Sequence, residues 1–338
     1  MGQLLSEPVI EKESAKGEDE RLFWGLSAMQ GWRLEMEDAH AVVLDLQQDP
    51  TKKSSPALRV SFFGVYDGHK GERIAQYSGN NVHKILATQA SFQVGNYAQA
   101  LKEAFLATDR AILEDANYKR EVSGCTASVA LIDNNNKIYV ANAGDSRTVL
   151  GIKGRAKPLS QDHTPQNEAE KARIVAAGGF VAVDRVNGKL ALSRAIGDFK
   201  YKQRAELPPE QQMVTAFPEV SEHVITPDDE FLVLACDGIW ECQSSQHVIE
   251  FVRRGVAARQ SLDKICETFM NECLSTCGDD RLAGCDNMTM IIVGLLNGKT
   301  QDQWYDMIAK RVAEGDGPCP FPEYGKFIHS HDDIACLS

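Results

Sequence analysis

Two kinds of apolar spacing alternate along the chain. Leu22-Phe23-Trp24-Gly25-Leu26-Ser27-Ala28-Met29 and Ala39–Leu46 have the short apolar spacing of strands. A polar loop, Gln47–Pro56, separates them from Leu58–Tyr66 (LRVSFFGVY), a mostly apolar run of strand length. The period then changes. Glu72–Leu86 places Ile74, Tyr77, Val82 and Ile85 at helical intervals, and Tyr97–Leu113 does the same with Ala100, Leu101, Ala104, Phe105, Thr108 and Ile112. A hairpin follows: Cys125–Ile132, the turn Asp133-Asn134-Asn135-Asn136, then Ile138–Ala143, with Asn supplying the left-handed backbone such turns need. Ser146–Ile152 reads as a strand, and Asn167–Ala177 as a helix stopped by Gly178-Gly179. Phe231–Cys236 and Met288–Leu296 are further strands, with helices at Gln246–Arg259 and Leu262–Thr276 between them.

Strands come in runs and helices in pairs, without βαβ alternation, which favours an antiparallel α+β sandwich over a doubly wound parallel sheet. The ends read differently. Residues 1–21 are polar, with six acids and two lysines from Glu7 to Glu20, and are expected to be a flexible acidic lead-in. Residues 22–297 form the folded domain. Residues 298–338, a short amphipathic piece (Trp304–Val312) and a Gly/Pro-rich tail, are expected to be a loosely held appendage.

Composition narrows the function classes. Of 338 residues, 43% are hydrophobic and 25% charged, enough apolar material for a sizeable core. The net charge of −12, with no basic cluster larger than Lys52-Lys53 or Arg253-Arg254, disfavours nucleic acid as a partner. Apolar stretches fall short of the ~20 residues a membrane helix needs. The N-terminus has no cationic start followed by an apolar run. Nine cysteines, an odd number set mostly among apolar neighbours, are expected to be reduced thiols in the cytosol or nucleus. Cys266, Cys273, Cys277 and Cys285 lack the paired spacing of a zinc site and read as buried helix cysteines. Asn297-Gly298-Lys299-Thr300 ends like a phosphate-binding loop, but the earlier glycine it needs would stand where Val293 does.

One constellation of acids stands out. Asp67-Gly68-His69 follows directly on the run ending at Tyr66, Asp237-Gly238 follows Phe231–Cys236, and Asp286-Asn287 precedes Met288–Leu296. Three times an apolar strand delivers a carboxylate at its end. Asp is short and a strand terminus pins its Cα, so such groups can converge on one point. Gly31–His40 (GWRLEMEDAH) adds Arg33, Glu37 and Asp38 beside another strand. An all-oxygen set without clustered His or thiolate suits Mg²⁺ or Mn²⁺. Two such ions about 4 Å apart can bridge a hydroxide and polarise a phosphoryl oxygen.

The series Gly31–His40, Phe63–Gly71 (FGVYDGHKG), Gly124–Ser128 (GCTAS), Ala141–Arg147 (ANAGDSR), Leu192–Phe199 (LSRAIGDF), Ala235–Trp240 (ACDGIW) and Gly284–Thr289 (GCDNMT) resembles the type 2C metal-dependent serine/threonine protein phosphatases. The likeness runs in family order across about residues 22–296. It implies an αββα sandwich of two antiparallel sheets with helices on both outer faces and metals at one end. It further implies hydrolysis of phosphoserine and phosphothreonine in proteins by a metal-bridging water or hydroxide, with no covalent intermediate, and a role as a negative regulator of kinase signalling.

By motif position, Asp67 resembles the carboxylate bridging both ions, Gly68 a carbonyl ligand, and Glu37, Asp237 and Asp286 the remaining ligands. Asp38 resembles the acid that orders metal-bound water, Arg33 the phosphate clamp, and His69 the general acid for the departing alkoxide. Arg185 is similar to an arginine of the family's flap that assists substrate binding. Glu241 stands where the family commonly has Asp. With Asp145 it implies a third site of altered affinity, because the added methylene carries the carboxylate about 1.3–1.5 Å further.

The resemblance suggests a monomer without an obligate regulatory subunit. Met1-Gly2-Gln3-Leu4-Leu5-Ser6 fits the myristoylation pattern at Gly2. A single acyl chain beside an acidic segment gives at most weak membrane association. Two other readings stay open: a catalytically silent binding module on the same fold, and a hydrolase of small phosphate esters.

Overall fold

The structure is a computed structural model that describes residues 4–47, 59–274 and 284–318. Strand β1 (Leu4–Glu18) is followed by β2 (Leu22–Arg33), β3 (Ala39–Val43), β4 (Ser61–Tyr66) and the short β5 (Gly68–His69). Helices α1 (Arg73–Thr88), α2 (Ala90–Gln93) and α3 (Tyr97–Glu114) lead to β6 (Gly124–Cys125), β7 (Ala127–Ile132), β8 (Lys137–Ala143), β9 (Arg147–Ile152) and β10 (Arg155–Pro158). An excursion carries α4 (Glu168–Ala176), β11 (Val181–Ala182), β12 (Arg185–Val186) and β13 (Ile196–Gly197). The chain returns through β14 (Glu219–Val224), β15 (Asp229–Ala235), α5 (Asp237–Trp240), α6 (Ser245–Ala257), α7 (Leu262–Leu274), β16 (Met288–Leu295) and α8 (Gln301–Ala313).

Two antiparallel sheets make the sandwich. One has the order β1-β2-β16-β15-β9-β10 and the other β14-β8-β7-β4-β3. The central strands β4, β7, β15 and β16 are buried along their whole length because both of their faces are covered. Along β4, Phe63 and Val65 point between the sheets, against Leu26, Leu232, Leu234 and Ile291. Phe62 and Tyr66 point the other way, onto Ile74, Val82 and Phe105 of α1 and α3. Along β15, Phe231 and Val233 face outward onto Val252, Phe269 and Trp304 of α6, α7 and α8. The expected αββα sandwich is the observed architecture. Side-chain caps start several helices: Asn96 accepts from Gln99 N, Ser244 from His247 N, and Thr300 forms a capping box with Gln303. The Asp133–Asn136 turn forms as expected, with Asp133 Oδ1 accepting from Asn135 N and Lys137 N and Asn136 at φ 55°.

Both ends depart from expectation. From Leu4 onward the acidic lead-in is an edge strand, in register with β2 from Lys12↔Met29 to Glu18↔Phe23. Its side chains lie mostly in solvent, so its sequence carries no apolar alternation, and the backbone ladder holds it. Lys12 Nζ donating to Asn271 (2.8 Å) and Ser14 Oγ donating to Glu267 (2.9 Å) tie it to α7. At the other end α8 is docked rather than loose. Trp304 and Ile308, one turn apart, are fully buried, and Trp304 meets the Phe23 ring edge-on at 4.9 Å. Trp304 Nε1 donates to Glu230 O (3.1 Å), while the buried Glu230 carboxylate takes Arg253 (3.1 Å) and Arg311 (3.0 Å). Cys125, Cys236 and Cys266 are buried free thiols, as expected, and Cys273 is buried on α7. Cys285 sits in the loop before β16 rather than in a helix and is disulfide-bonded, which corrects the expectation that every thiol is reduced. Gly2 and Cys277 lie outside the described residues, and no described helix is long and apolar enough to cross a membrane.

Within the excursion, beside an apolar cluster that includes Ile174, Val186 and Val214, one buried acid ties α4 to Ser193-Arg194. Glu170 on α4 accepts from Arg194 (2.7 Å) and Ser193 (2.6 Å) and pairs with Arg173 (2.9 Å). Burial works to raise its pKa, but these partners outweigh it and bring it down to about 2. A folded pKa below the unfolded value contributes stability above the ordinary carboxylate range that is lost as pH falls towards 2. Glu170→Gln is therefore expected to destabilise the protein by roughly 2–3 kcal/mol at pH 7 and much less near pH 2–3, as read from urea unfolding at both values. Trp304→Ala is expected to cost about 3–5 kcal/mol by the same measurement, with the m-value unchanged. An unaffected midpoint would mean that α8 does not stabilise the domain.

Candidate metal centre and active site

Strand register brings the acids to one end of the sandwich. Tyr66 at the end of β4 pairs with Ala39 at the start of β3, which sets Asp67 beside Glu37-Asp38. Ala235 at the end of β15 pairs with Arg147 on one side and Met290 on the other, which brings Asp145, Asp237 and Asp286 to the same rim. Ligand-capable atoms of Asp67, Asp145 and Asp237 lie within 4.8 Å of one another, as do those of Asp38, Asp67 and Cys236. A cleft of about 700 Å³ opens over them, walled by Arg33, Glu37, Gly68, His69, Glu241, Asp286 and Arg185. Asp38 stands behind this wall, 8% exposed.

The close approach needs glycine at position 68. A Cβ there would lie 2.3 Å from the Glu37 carbonyl oxygen. The Glu35–Glu37 loop is then tied to the start of β16 by Asn287, whose Nδ2 donates to Gln30 O (2.8 Å) and Glu35 O (3.1 Å) while its Oδ1 accepts from Glu37 N (2.9 Å). Thr289 Oγ1 donates to Asp38 Oδ2 (2.7 Å). Glu37 also accepts from Gly71 N, and Arg33 donates to Asp286.

The electrostatics are those of acids crowded out of water. Burial first pushes Asp67 and Asp237 well above the carboxylate range, followed for Asp67 by the charges of Asp237 and Asp38 and for Asp237 by those of Asp145 and Asp286. Burial brings Asp38 up to about 7, with Thr289 and the Cys236 thiol pulling the other way. Asp145 also rises to about 7, through burial and then the charges of Asp162 and Glu241. Burial raises Glu37 and Glu241 too. Asp237 Oδ1 is buried without a hydrogen-bond partner. An orphaned oxygen within a converging carboxylate set fits a hard divalent cation. Cys236 adds no thiolate, because burial and the charges of Asp38 and Asp67 hold its proton on.

His69 lies on β5, next to Gly124 of β6, and its Nε2 meets Asp198 Oδ2 at 2.5 Å. Asp198 is fully buried at φ 49° and also accepts from Lys70 Nζ (3.2 Å). Burial works to raise Asp198, but the hydrogen bond and charge of His69, with Lys70 and Lys202, hold it below the usual carboxylate range. Arg185 starts β12 after a turn in which Val183 and Asp184 both have positive φ. It is exposed, donates to Lys189 O (3.0 Å) and faces the same cleft.

The structure thus gathers every described residue expected at the site. It also regroups them, joining Asp145 to Asp67 and Asp237 in the tight set while Glu241 remains on the wall. Sequence reasoning missed Asp198, Thr126, Asn287 and Thr289 as working parts. All four fall inside the motif segments quoted above, and position within a motif was the one signal pointing to them. Thr126 Oγ1 accepts from Asp67 N (3.3 Å), a contact that no local pattern announces.

Residues 24–281 match the family model described as Protein phosphatase 2C. The chain is 64% identical over 338 residues to Protein phosphatase 2C homolog 2 of Hypocrea jecorina, covering 98% of this chain and 77% of that protein. It is 56% identical over 326 residues to Protein phosphatase 2C homolog 2 of Schizosaccharomyces pombe, covering 96% and 87%. Among solved structures, a phosphatase from a pathogenic strain of Toxoplasma gondii superimposes with a TM-score of 0.71 at 25% identity, over 84% of this chain and 96% of that one. An acid-lined cleft at one end of an αββα sandwich and these likenesses lead to the same conclusion: the chain belongs to the protein phosphatase 2C family of metal-dependent protein serine/threonine phosphatases.

Proposed function

We propose that this protein removes phosphate from phosphoserine and phosphothreonine in proteins with Mg²⁺ or Mn²⁺, by direct attack of water on phosphorus and without a covalent intermediate. The convergence of Asp67, Asp145 and Asp237 within 4.8 Å carries the reading. Asp67 and the Gly68 carbonyl, with Glu37, Asp237 and Asp286, would hold two ions, and Asp145 with Glu241 a third. Divalent cations bound there supply Lewis acidity to the phosphoryl oxygens and bring the pKa of a water towards neutrality.

The protein's own groups do the rest. Arg33, whose partner Asp286 is itself among the proposed ligands, turns its fork of donors to the phosphoryl oxygens. Asp38, held by Thr289, orients the attacking water. As the bond from phosphorus to the Ser or Thr oxygen breaks, its electron pair stays on that oxygen, which takes a proton from His69. Arg185, on the exposed turn over the cleft, contacts the substrate protein. The chain acts as a monomer without an obligate regulatory subunit, in the cytosol or nucleus, as a negative regulator of kinase signalling. Acylation at Gly2 adds at most weak membrane association.

With Mn²⁺ the protein is expected to hydrolyse a phosphothreonine peptide, to prefer it to small phosphate esters in kcat/KM, and to lose all turnover on chelation. Asp67→Asn is expected to lower kcat/KM on the order of 10³-fold, equivalent to several kcal/mol of lost metal stabilisation. The melting temperature of the metal-free protein should not fall, because one member of a repelling set is removed. Activity within tenfold of the parent would rule out the proposed role of Asp67.

A further inference from the structure

We propose that Asp198 is the positioning residue of the proton donor: it fixes the ring of His69 so that Nε2–H stays on the carboxylate and Nδ1 is the nitrogen that serves the leaving oxygen. This rests on the reading of His69 as the acid. The observations are geometric. Asp198 is fully buried, and its two oxygens are divided between His69 Nε2 (2.5 Å) and Lys70 Nζ (3.2 Å). Its backbone is fixed in the left-handed region at φ 49°, with its N–H given to Ser123 O (3.1 Å). The residue before it, Gly197, donates to Asp109 Oδ1 (2.8 Å), and Asp109 is held in turn by Lys202 (2.8 Å). Gly124 leaves the pair its space: a Cβ there would stand 2.5 Å from Asp198 Oδ2 and 2.8 Å from His69 Nε2.

An imidazole has only two nitrogens. A carboxylate that takes one of them settles both the tautomer and the ring plane, because an acceptor aligned with Nε2–H leaves no second orientation of equal energy. In the acid step the proton leaves Nδ1 for the serine or threonine oxygen, while Nε2 keeps its own. Asp198 touches no reacting atom and neither gains nor loses a proton.

The test compares leaving groups in the Mn²⁺-loaded full chain. Loss of an acid matters for a threonine oxygen and little for p-nitrophenolate, which departs without protonation. Asp198→Asn keeps the left-handed backbone that Asn tolerates. It is expected to lower kcat on a phosphothreonine peptide by on the order of 10–100-fold and on p-nitrophenyl phosphate by less than about threefold. In a His69→Ala background it should add no more than about twofold, since the two side chains act as a unit. Gly124→Ala, which pushes a methyl group into the pair, should show the same leaving-group selectivity.

A readout independent of turnover is ¹H–¹⁵N correlation of the imidazoles in the metal-free protein. His69 should appear as the Nε2–H tautomer and become a mixture in Asp198→Asn. Equal losses on both substrates, additivity with His69→Ala, or an unchanged tautomer would overturn the proposal while leaving His69 as the acid. If His69→Ala itself shows no leaving-group dependence, the acid reading fails and this inference with it.

Discussion

Repulsion among carboxylates is the constraint that orders this protein. Two full charges within 4.8 Å repel by roughly 3–4 kcal/mol even at an effective dielectric of about 20. Asp67, Asp145 and Asp237 form three such pairs, and Asp38 lies directly behind them. No short-range preference of the chain would bring them together. The metal-free cluster relieves itself by keeping protons, which is why burial and mutual charge move Asp38 and Asp145 to about 7 and Asp67 and Asp237 beyond the carboxylate range. A divalent cation relieves it without protons. The site is therefore a place where folding stores an electrostatic demand that a metal meets.

Such a demand can be borne only by a rigid frame. Four of the acids stand at or just beyond the ends of strands or at the start of a short helix, and each end is fixed by antiparallel pairing on a buried sheet. The sheets are fixed in turn by three apolar layers: one between them and one beneath the helices on each outer face. A strand buried on both faces cannot slip by one residue, because its inward and outward side chains would exchange two differently shaped cores. The alternation of Phe62 and Phe63, or of Phe231 and Leu232, thus places an aspartate at the strand end with the precision that catalysis needs.

The same constraint decides which parts of the fold are legible in the sequence and which are not. The central strands and amphipathic helices were legible because burial writes itself into composition and period. The strand-end acids were legible because they directly follow or precede those runs. The edge strand β1 was not, since a strand held by its backbone and open to solvent on its side chains keeps polar residues throughout. The docking of α8 rests on two large side chains, Trp304 and Ile308, too few to outweigh the polar character of the segment. The short strands β11, β12 and β13 have two residues each and lie below the length at which a period exists. Among site residues, Asp198 and Thr289 were hidden because they act on another side chain, and a partner 129 or 251 residues away leaves no local trace.

The acid that would finish the reaction is built on a different plan from the metal cluster beside it. Asp67 and His69 are two residues apart, yet Asp67 is held by its neighbours along the sheet while His69 is held from the excursion, through Asp198 and Gly197. Asp109 of α3 binds both Gly197 and Lys202, so the base of that excursion is locked to the helical layer of one sheet. The consequence is a division of labour along the chain. Changes in the sandwich core act on where the carboxylates stand, whereas changes around residues 195–202 act on the ring of His69. Two halves of one active site can then vary separately in sequence, because different parts of the fold hold them.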